Sequence, residues 1–116
     1  MFEPLCRVCG LTPATAGIYL GEPRAVVLGW LKEQEAPPEE HLYRIYALFD
    51  AIENEAERVI RAWEAAGKPT QISYPIAATD EKARKMGWPS VGVQKTVAAM
   101  TQATLTEVSV GFEIIE

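Results

Sequence analysis

Two cysteines stand three positions apart, at Cys6 and Cys9, which is the spacing of a redox-active pair or of half a zinc site. A structural zinc ion takes four ligands, and the sequence offers a single histidine, His41, as a further donor of this type. The pair also falls inside an apolar pattern typical of a helix, where a redox pair is not expected. We interpret both cysteines as core or surface residues and His41 as an exposed side chain, and we expect no metal site.

The remaining residues give no basis for catalysis. The sequence has no second histidine and no glycine-rich phosphate loop, and no nucleophile has a recognisable partner. The acids Glu53, Glu55 and Glu57 are interpreted as one solvated helix face. We therefore expect a protein that is not an enzyme and binds no cofactor. No apolar run approaches the roughly 20 residues that cross a bilayer, so we expect no membrane partner and a cytoplasmic location.

The charge of the 116-residue chain is distributed unevenly. Its net charge of −5 argues against a generally basic surface that binds nucleic acid without sequence preference. Residues 1–36 hold three basic and four acidic side chains, whereas residues 37–67 hold seven carboxylates and three arginines. The first segment is nearly neutral and can approach DNA, and we expect the second to point away from phosphate.

Residues 11–31, "LTPATAGIYLGEPRAVVLGWL", predict two short helices joined at a glycine. Thr12 before Pro13 is a cap residue followed by proline at the first helical position. Gly21 supplies the left-handed conformation of a tight helix exit, and Pro23 opens the next helix. This is the outline of a helix-turn-helix DNA-binding motif.

The other elements follow from periodicity and caps. A short helix over residues 2–9 has an apolar stripe of Phe2, Leu5, Val8 and Cys9. Residues 38–67 form one long helix whose apolar residues alternate steps of three and four, which favours a core-facing stripe over a coiled coil. A strand follows near residues 71–76, with Pro75 indicating a sheet edge, then helices from Thr79 and Ser90 and a strand over residues 108–114.

These elements predict a mainly α fold with a small β element, in the α+β class. We expect a helix-turn-helix bundle with the long central helix in residues 1–66, and a strand-helix-helix-strand dimerisation region in residues 67–116. Two strands are too few for a free-standing sheet, so they must pack on helices or pair with strands of a second copy.

The pattern of residues 11–31 resembles lambda-repressor-like domains in one gapless register. The positions that match are Leu11, Ala16, Leu20, Gly21, Val27 and Trp30. The resemblance implies that Arg24, Ala25, Leu28 and Gly29 face the major groove. Repressors often carry polar or basic residues at such positions, and here only Arg24 is charged.

Arginine reads guanine through paired hydrogen bonds to O6 and N7, and alanine and leucine can contact thymine methyl groups. Thr12 at the start of one helix and Lys32 at the end of the next can contact phosphates. The candidate DNA-contacting residues are therefore Thr12, Pro23, Arg24, Ala25, Leu28 and Lys32. The alternative is that Arg24 is a solvated charge and that the apolar positions cover a protein partner.

The rest of the chain, with "GWPS" near residue 88, resembles the anti-CRISPR-associated repressors and related small bacterial and phage helix-turn-helix regulators. This resemblance implies an autorepressor of phage or mobile-element origin that binds double-stranded DNA as a homodimer through its C-terminal part. The implied dimer contacts are Trp88, Pro89 and the alternating residues Val108, Val110, Phe112 and Ile114. The competing hypothesis is an antitoxin or protein-interaction module whose helix-turn-helix is degenerate.

Overall fold

The fold is mainly α with one small sheet, as the sequence predicts, in a computed structural model that describes residues 2–116. The helices and strands are α1 (Phe2–Val8), α2 (Pro13–Leu20), α3 (Arg24–Leu31), α4 (Glu39–Ala65), β1 (Gln71–Ala77), α5 (Asp80–Lys85), α6 (Val91–Thr104) and β2 (Ser109–Ile115). Within residues 2–116, no helix combines the length and apolarity needed to cross a bilayer.

The helix starts lie where the cap residues predict them. Thr12, Thr79 and Ser90 each accept a hydrogen bond from the backbone N–H three residues further on. Thr12 and Thr15 form a reciprocal capping box, with the Thr15 hydroxyl accepting from the Thr12 N–H at 2.8 Å. Gly21 ends α2 at φ 73°, a left-handed conformation that favours glycine.

Helix α4 lies at the centre of the core, and its row of buried residues confirms the core-facing stripe predicted for the long helix. It buries a row of residues comprising Ile45, Leu48, Ile52, Ala56 and Val59 against α1 on one side and α6 on the other. The predicted apolar stripe of the first helix, α1, is wrong at Val8. Val8 is 49% exposed, while Cys9, just beyond the helix, is fully buried.

The two strands pair in parallel within the chain, which requires the α5–α6 crossover between them. Tyr74 lies opposite Phe112, and Ile76 lies opposite Ile114. Paired residues of neighbouring strands share a face, yet Tyr74 and Ile76 are buried on the helices whereas Phe112 and Ile114 are exposed. The helices therefore cover this face of β1 but leave the same face of β2 exposed at Phe112 and Ile114.

One cluster of buried residues runs through both halves of the chain. It includes Trp30 and Ile45 of the first 66 residues together with Tyr74 and Val97 of the remainder. The division into residues 1–66 and 67–116 stays a prediction.

Candidate nucleic-acid interface

At Gly17, α2 packs closely against the turn that leads into α3. A Cβ atom on Gly17 would lie 2.7 Å from the backbone oxygen of Glu22, and the Glu22 N–H donates to the Gly17 carbonyl at 2.9 Å. Ala16 and Leu20 of α2 are buried, as are Val27 and Trp30 of α3. A shared apolar core at four of the positions that match the helix-turn-helix pattern thus holds the α2–α3 unit, together with a contact at Gly17 that the pattern did not indicate.

The outward side of α3 begins with three exposed residues, Pro23, Arg24 and Ala25. Leu28 and Gly29, one turn further along, are half-buried. Lys32 follows the last residue of α3 and is exposed. The structure therefore places the predicted base-contacting residues together on one short helix, with the greatest exposure at its N-terminal end.

Thr12 is exposed at the start of α2, but its hydroxyl already serves the helix cap. Its oxygen accepts from the Thr15 N–H at 3.1 Å and lies 3.0 Å from the Thr15 hydroxyl. A hydroxyl oxygen has two lone pairs and one proton, so it retains limited capacity for a phosphate oxygen. Thr12 acts first as a structural residue that fixes where α2 begins.

Two basic side chains at α3, Arg24 and Lys32, are available to contact an anion. Arg7 is paired with Glu3, and the carboxylate of Glu22 contacts His41. Among residues 2–116, neither Arg24 nor Lys32 takes part in an ion pair. These two side chains can therefore turn towards phosphate or a base edge without breaking an internal contact.

His41 is buried, with 7% of its surface exposed, so the interpretation as a solvated histidine is wrong. Its Nε2 lies 3.0 Å from a carboxylate oxygen of Glu22, and its ring centroid lies 5.5 Å from that of Trp30. Glu22 comes just before the start of α3 at Arg24. The His41–Glu22 contact therefore ties the beginning of α3 to the first turn of α4.

A second contact ties α2 to α4. The Arg44 guanidinium lies 4.7 Å from the centre of the Tyr19 ring and donates a hydrogen bond to the Tyr19 carbonyl at 2.8 Å. Together with His41, Arg44 fixes the α2–α3 unit against the long helix. Sequence reasoning missed both pairs, because residues separated by 19 and 25 positions carry no local signal.

Two exposed apolar residues near the candidate interface were also missed. Ile18 on α2 is 59% exposed and Val26 on α3 is 39% exposed. Val26 follows Ala25 in the first turn of α3. Its exposure adds a second apolar group to the surface that α3 presents.

The predicted dimer residues divide into two groups. Pro89 and Val108 are buried within the chain's own fold, and Trp88 and Val110 are half-buried. Phe112 is 48% exposed and Ile114 is 53% exposed. Only the last two offer a large apolar area to a partner.

The cysteine pair lies in the core. Burial raises the pKa of Cys6 to about 12, with a further contribution from Cys9, and raises the pKa of Cys9 to about 11. Both thiols are free, and the Cys9 Sγ lies 3.9 Å from the Ile45 carbonyl oxygen. Within residues 2–116, no group of three or more His, Cys, Asp or Glu side chains is placed to hold a metal ion.

Glu55 departs from the expected solvated face. It is half-buried, accepts a hydrogen bond from the buried Tyr74 hydroxyl at 2.9 Å, and contacts Arg58. The Arg58 hydrogen bond, with that of Tyr74, lowers the pKa of Glu55 although burial opposes the shift. This group joins α4 to β1 and is structural.

No protein-family model matches the sequence, and a search of curated proteins finds no match either.

Proposed function

We propose that this protein is a sequence-specific DNA-binding transcriptional regulator that acts as a homodimer on an inverted-repeat operator and represses its own gene. The observation that carries the proposal is the exposed position of Arg24 at the start of α3. Arg24 has an exposed guanidinium, outside any ion pair of residues 2–116, at the first position of the second helix of a helix-turn-helix. The N-terminal residues of that helix are those that reach base edges in the major groove.

The chemistry of this surface favours a mixed contact. Arg24 can form two hydrogen bonds with guanine, while Ala25 and the neighbouring Val26 can pack on thymine methyl groups. Lys32 at the other end of α3 supplies a phosphate contact. With few charges, one copy binds weakly, and two linked copies reach half-sites about 34 Å apart.

The proposal is tested with selection from random duplex DNA and with mobility shifts on the DNA upstream of its own gene. The parent protein is expected to enrich an inverted repeat. Ala25→Glu is expected to abolish binding, because a carboxylate at the groove-facing helix meets phosphate and desolvated base edges. Ala47→Glu, at an exposed position of α4, is the matched control and is expected to bind like the parent.

A second candidate function is supported by Ile18 and Val26, whose exposed apolar surface also suits a protein partner. In that case the chain is an interaction module, such as an antitoxin, and α3 covers the partner. Selection would then enrich no repeat at low salt, and Ala25→Glu would disrupt a protein complex instead. Enrichment of an inverted repeat that Ala25→Glu abolishes contradicts this second candidate.

A further inference from the structure

The two edges of the sheet are not equivalent, and hydrogen bonds show which backbone groups face outwards. Ser109 N–H donates to the Thr70 carbonyl, and the Ile115 carbonyl accepts from Ala78 N–H. Backbone groups of successive residues point to alternate sides of a strand. The odd-numbered residues of β2 therefore bond β1, and the N–H and C=O groups of Phe112 and Ile114 point away from it.

The outer edge of β1 is closed to another strand. The groups that point outwards from β1 belong to its odd-numbered residues, by the same alternation. Pro75 is one of them and has no N–H to donate. The Ala77 N–H is another, and it donates to the side chain of the buried Gln94 at 2.8 Å. This edge cannot form a continuous ladder with a partner.

The first half of the β2 edge is closed as well. The Gln102 side chain accepts from the Val110 N–H at 3.0 Å and donates to the Val108 carbonyl at 2.7 Å. It occupies the two backbone groups that a neighbouring strand would use. The open part of the sheet begins at Phe112, where the exposed apolar side chains also begin.

We propose that this open half-edge pairs with the same half-edge of a second copy, antiparallel and centred on Ile114. The two sheets then join as one four-stranded sheet. A two-fold axis perpendicular to the joined sheet keeps the helices of both copies on the same side of it. Phe112 and Ile114 of both copies then form one continuous apolar surface of the sheet between the two α6 helices. The inference specifies the partner contact of the proposed homodimer but does not depend on DNA binding.

Two other registers are less favourable. Centring on Phe112 places the partner backbone against Val110, where the Gln102 amide already lies. Centring on Glu113 places two Glu113 carboxylates directly opposite each other, and it also brings the partner's Glu116 against Val110.

The Ile114 register avoids both problems. It pairs Ile114 with the partner's Ile114 and Phe112 with the partner's Glu116. The ammonium of Lys95 on α6 lies 6.0 Å from the centre of the Phe112 ring. The partner's Glu116 therefore arrives beside a cation, so the proposed contact is complementary in charge as well as in shape.

Single substitutions to cysteine, analysed on non-reducing gels, test the proposed register of the two β2 strands. In the Ile114-centred pair the two Ile114 Cα atoms lie ~5.5 Å apart, within the range of a disulfide. The same pairing separates the two Glu113 positions by roughly 8 Å and the two Phe112 positions by roughly 14 Å. Ile114→Cys is expected to cross-link under mild oxidation, and Glu113→Cys and Phe112→Cys far less. The parent, whose Cys6 and Cys9 are buried, is the control and is expected to stay uncross-linked.

A charge exchange tests the same contact without cysteine. Lys95→Glu is expected to weaken the dimer at least ~10-fold in sedimentation, and Lys95→Glu with Glu116→Lys is expected to restore it. Preferential cross-linking at Phe112 or Glu113, or failure of the exchange to restore the dimer, overturns the register. A parent that is monomeric at tens of micromolar overturns the proposal even if the monomer binds DNA. A stable dimer that binds no DNA leaves this contact intact and refutes only the DNA-binding function.

Discussion

At the scale of single residues, Arg24 is the only charged residue of α3, so the proposed base discrimination is expected to depend on it. Arg24→Ala is expected to remove about 1–3 kcal/mol of discrimination at one base pair of each half-site. Lys32→Ala is expected to weaken binding to all sequences alike and to reduce its salt dependence, because a phosphate contact carries no sequence information. Mobility shifts on single-base operator variants measure both. Unchanged discrimination by Arg24→Ala shows that another residue reads the DNA.

The two cysteines give a prediction about reactivity. Because burial raises the pKa of both thiols, the neutral thiol is the form that the fold favours. In native protein at pH 8 we expect reaction with a disulfide reagent to be at least ~100-fold slower than in denatured protein. The raised pKa also gives a pH dependence, because the thiols of the unfolded chain lose their protons at a lower pH than those of the folded protein. The contribution of the thiols to the free energy of unfolding is therefore complete below the ordinary thiol pKa of 9.0 and declines as the pH rises above it. Rapid labelling of native protein would contradict the buried placement.

Residue roles that depend on local sequence could be predicted, and those that depend on distant partners could not. Thr12, Thr79 and Ser90 act as caps because the N–H groups that they bind lie three residues away. His41 was expected to be exposed, since nothing in its own turn indicates that Glu22 and Trp30 meet it. The exposure of Arg24 and Ala25 was predictable from the helix-turn-helix pattern, whereas the pairs that hold α3 in place were not.

At the scale of elements, the tight turn between α2 and α3 depends on the absence of a side chain at Gly17. Gly17→Ala is expected to lower the free energy of unfolding by about 1–3 kcal/mol, because its Cβ meets the Glu22 backbone, which is itself bonded to Gly17. Gly29→Ala is the matched control within α3. No atom lies within 4 Å of its added Cβ, so we expect a gain of about 0.5–1 kcal/mol from helix propensity. Urea unfolding measures both, and a Gly17→Ala protein as stable as Gly29→Ala would refute the close contact between Gly17 and the Glu22 backbone.

The element types and their order were predictable from periodicity, but the pairing of the strands was not. Alternation identified Ile72, Tyr74 and Ile76 as a half-buried strand, and two of these three are buried. It also grouped Val108 with Phe112 and Ile114, although Val108 lies before β2 and inside the core. Alternation reports which residues share a face. It does not report whether that face extends beyond the helices, which depends on where α6 packs.

At the scale of the whole molecule, the proposed dimer links two units whose individual affinity for DNA is expected to be weak, so a change far from α3 is expected to reduce DNA affinity. Phe112→Asp places a carboxylate in the apolar contact, where loss of water opposes it, and we expect the dimer dissociation constant to rise by at least ~100-fold. The Phe112 side chain is 48% exposed in the monomer, so the fold of the α2–α3 unit is expected to remain intact, with an unchanged circular dichroism spectrum.

Affinity for an operator with two half-sites should then fall by about 10²–10⁴, because each copy binds alone and the gain from linkage disappears. Affinity for a single half-site should not change, which separates loss of linkage from damage to the DNA-binding surface. Light scattering on the parent and on Phe112→Asp measures the dimer, and titrations of the one-site and two-site duplexes measure the linkage. A Phe112→Asp protein that remains a dimer, or one that loses affinity equally for both duplexes, would show that β2 does not connect the two DNA-binding units.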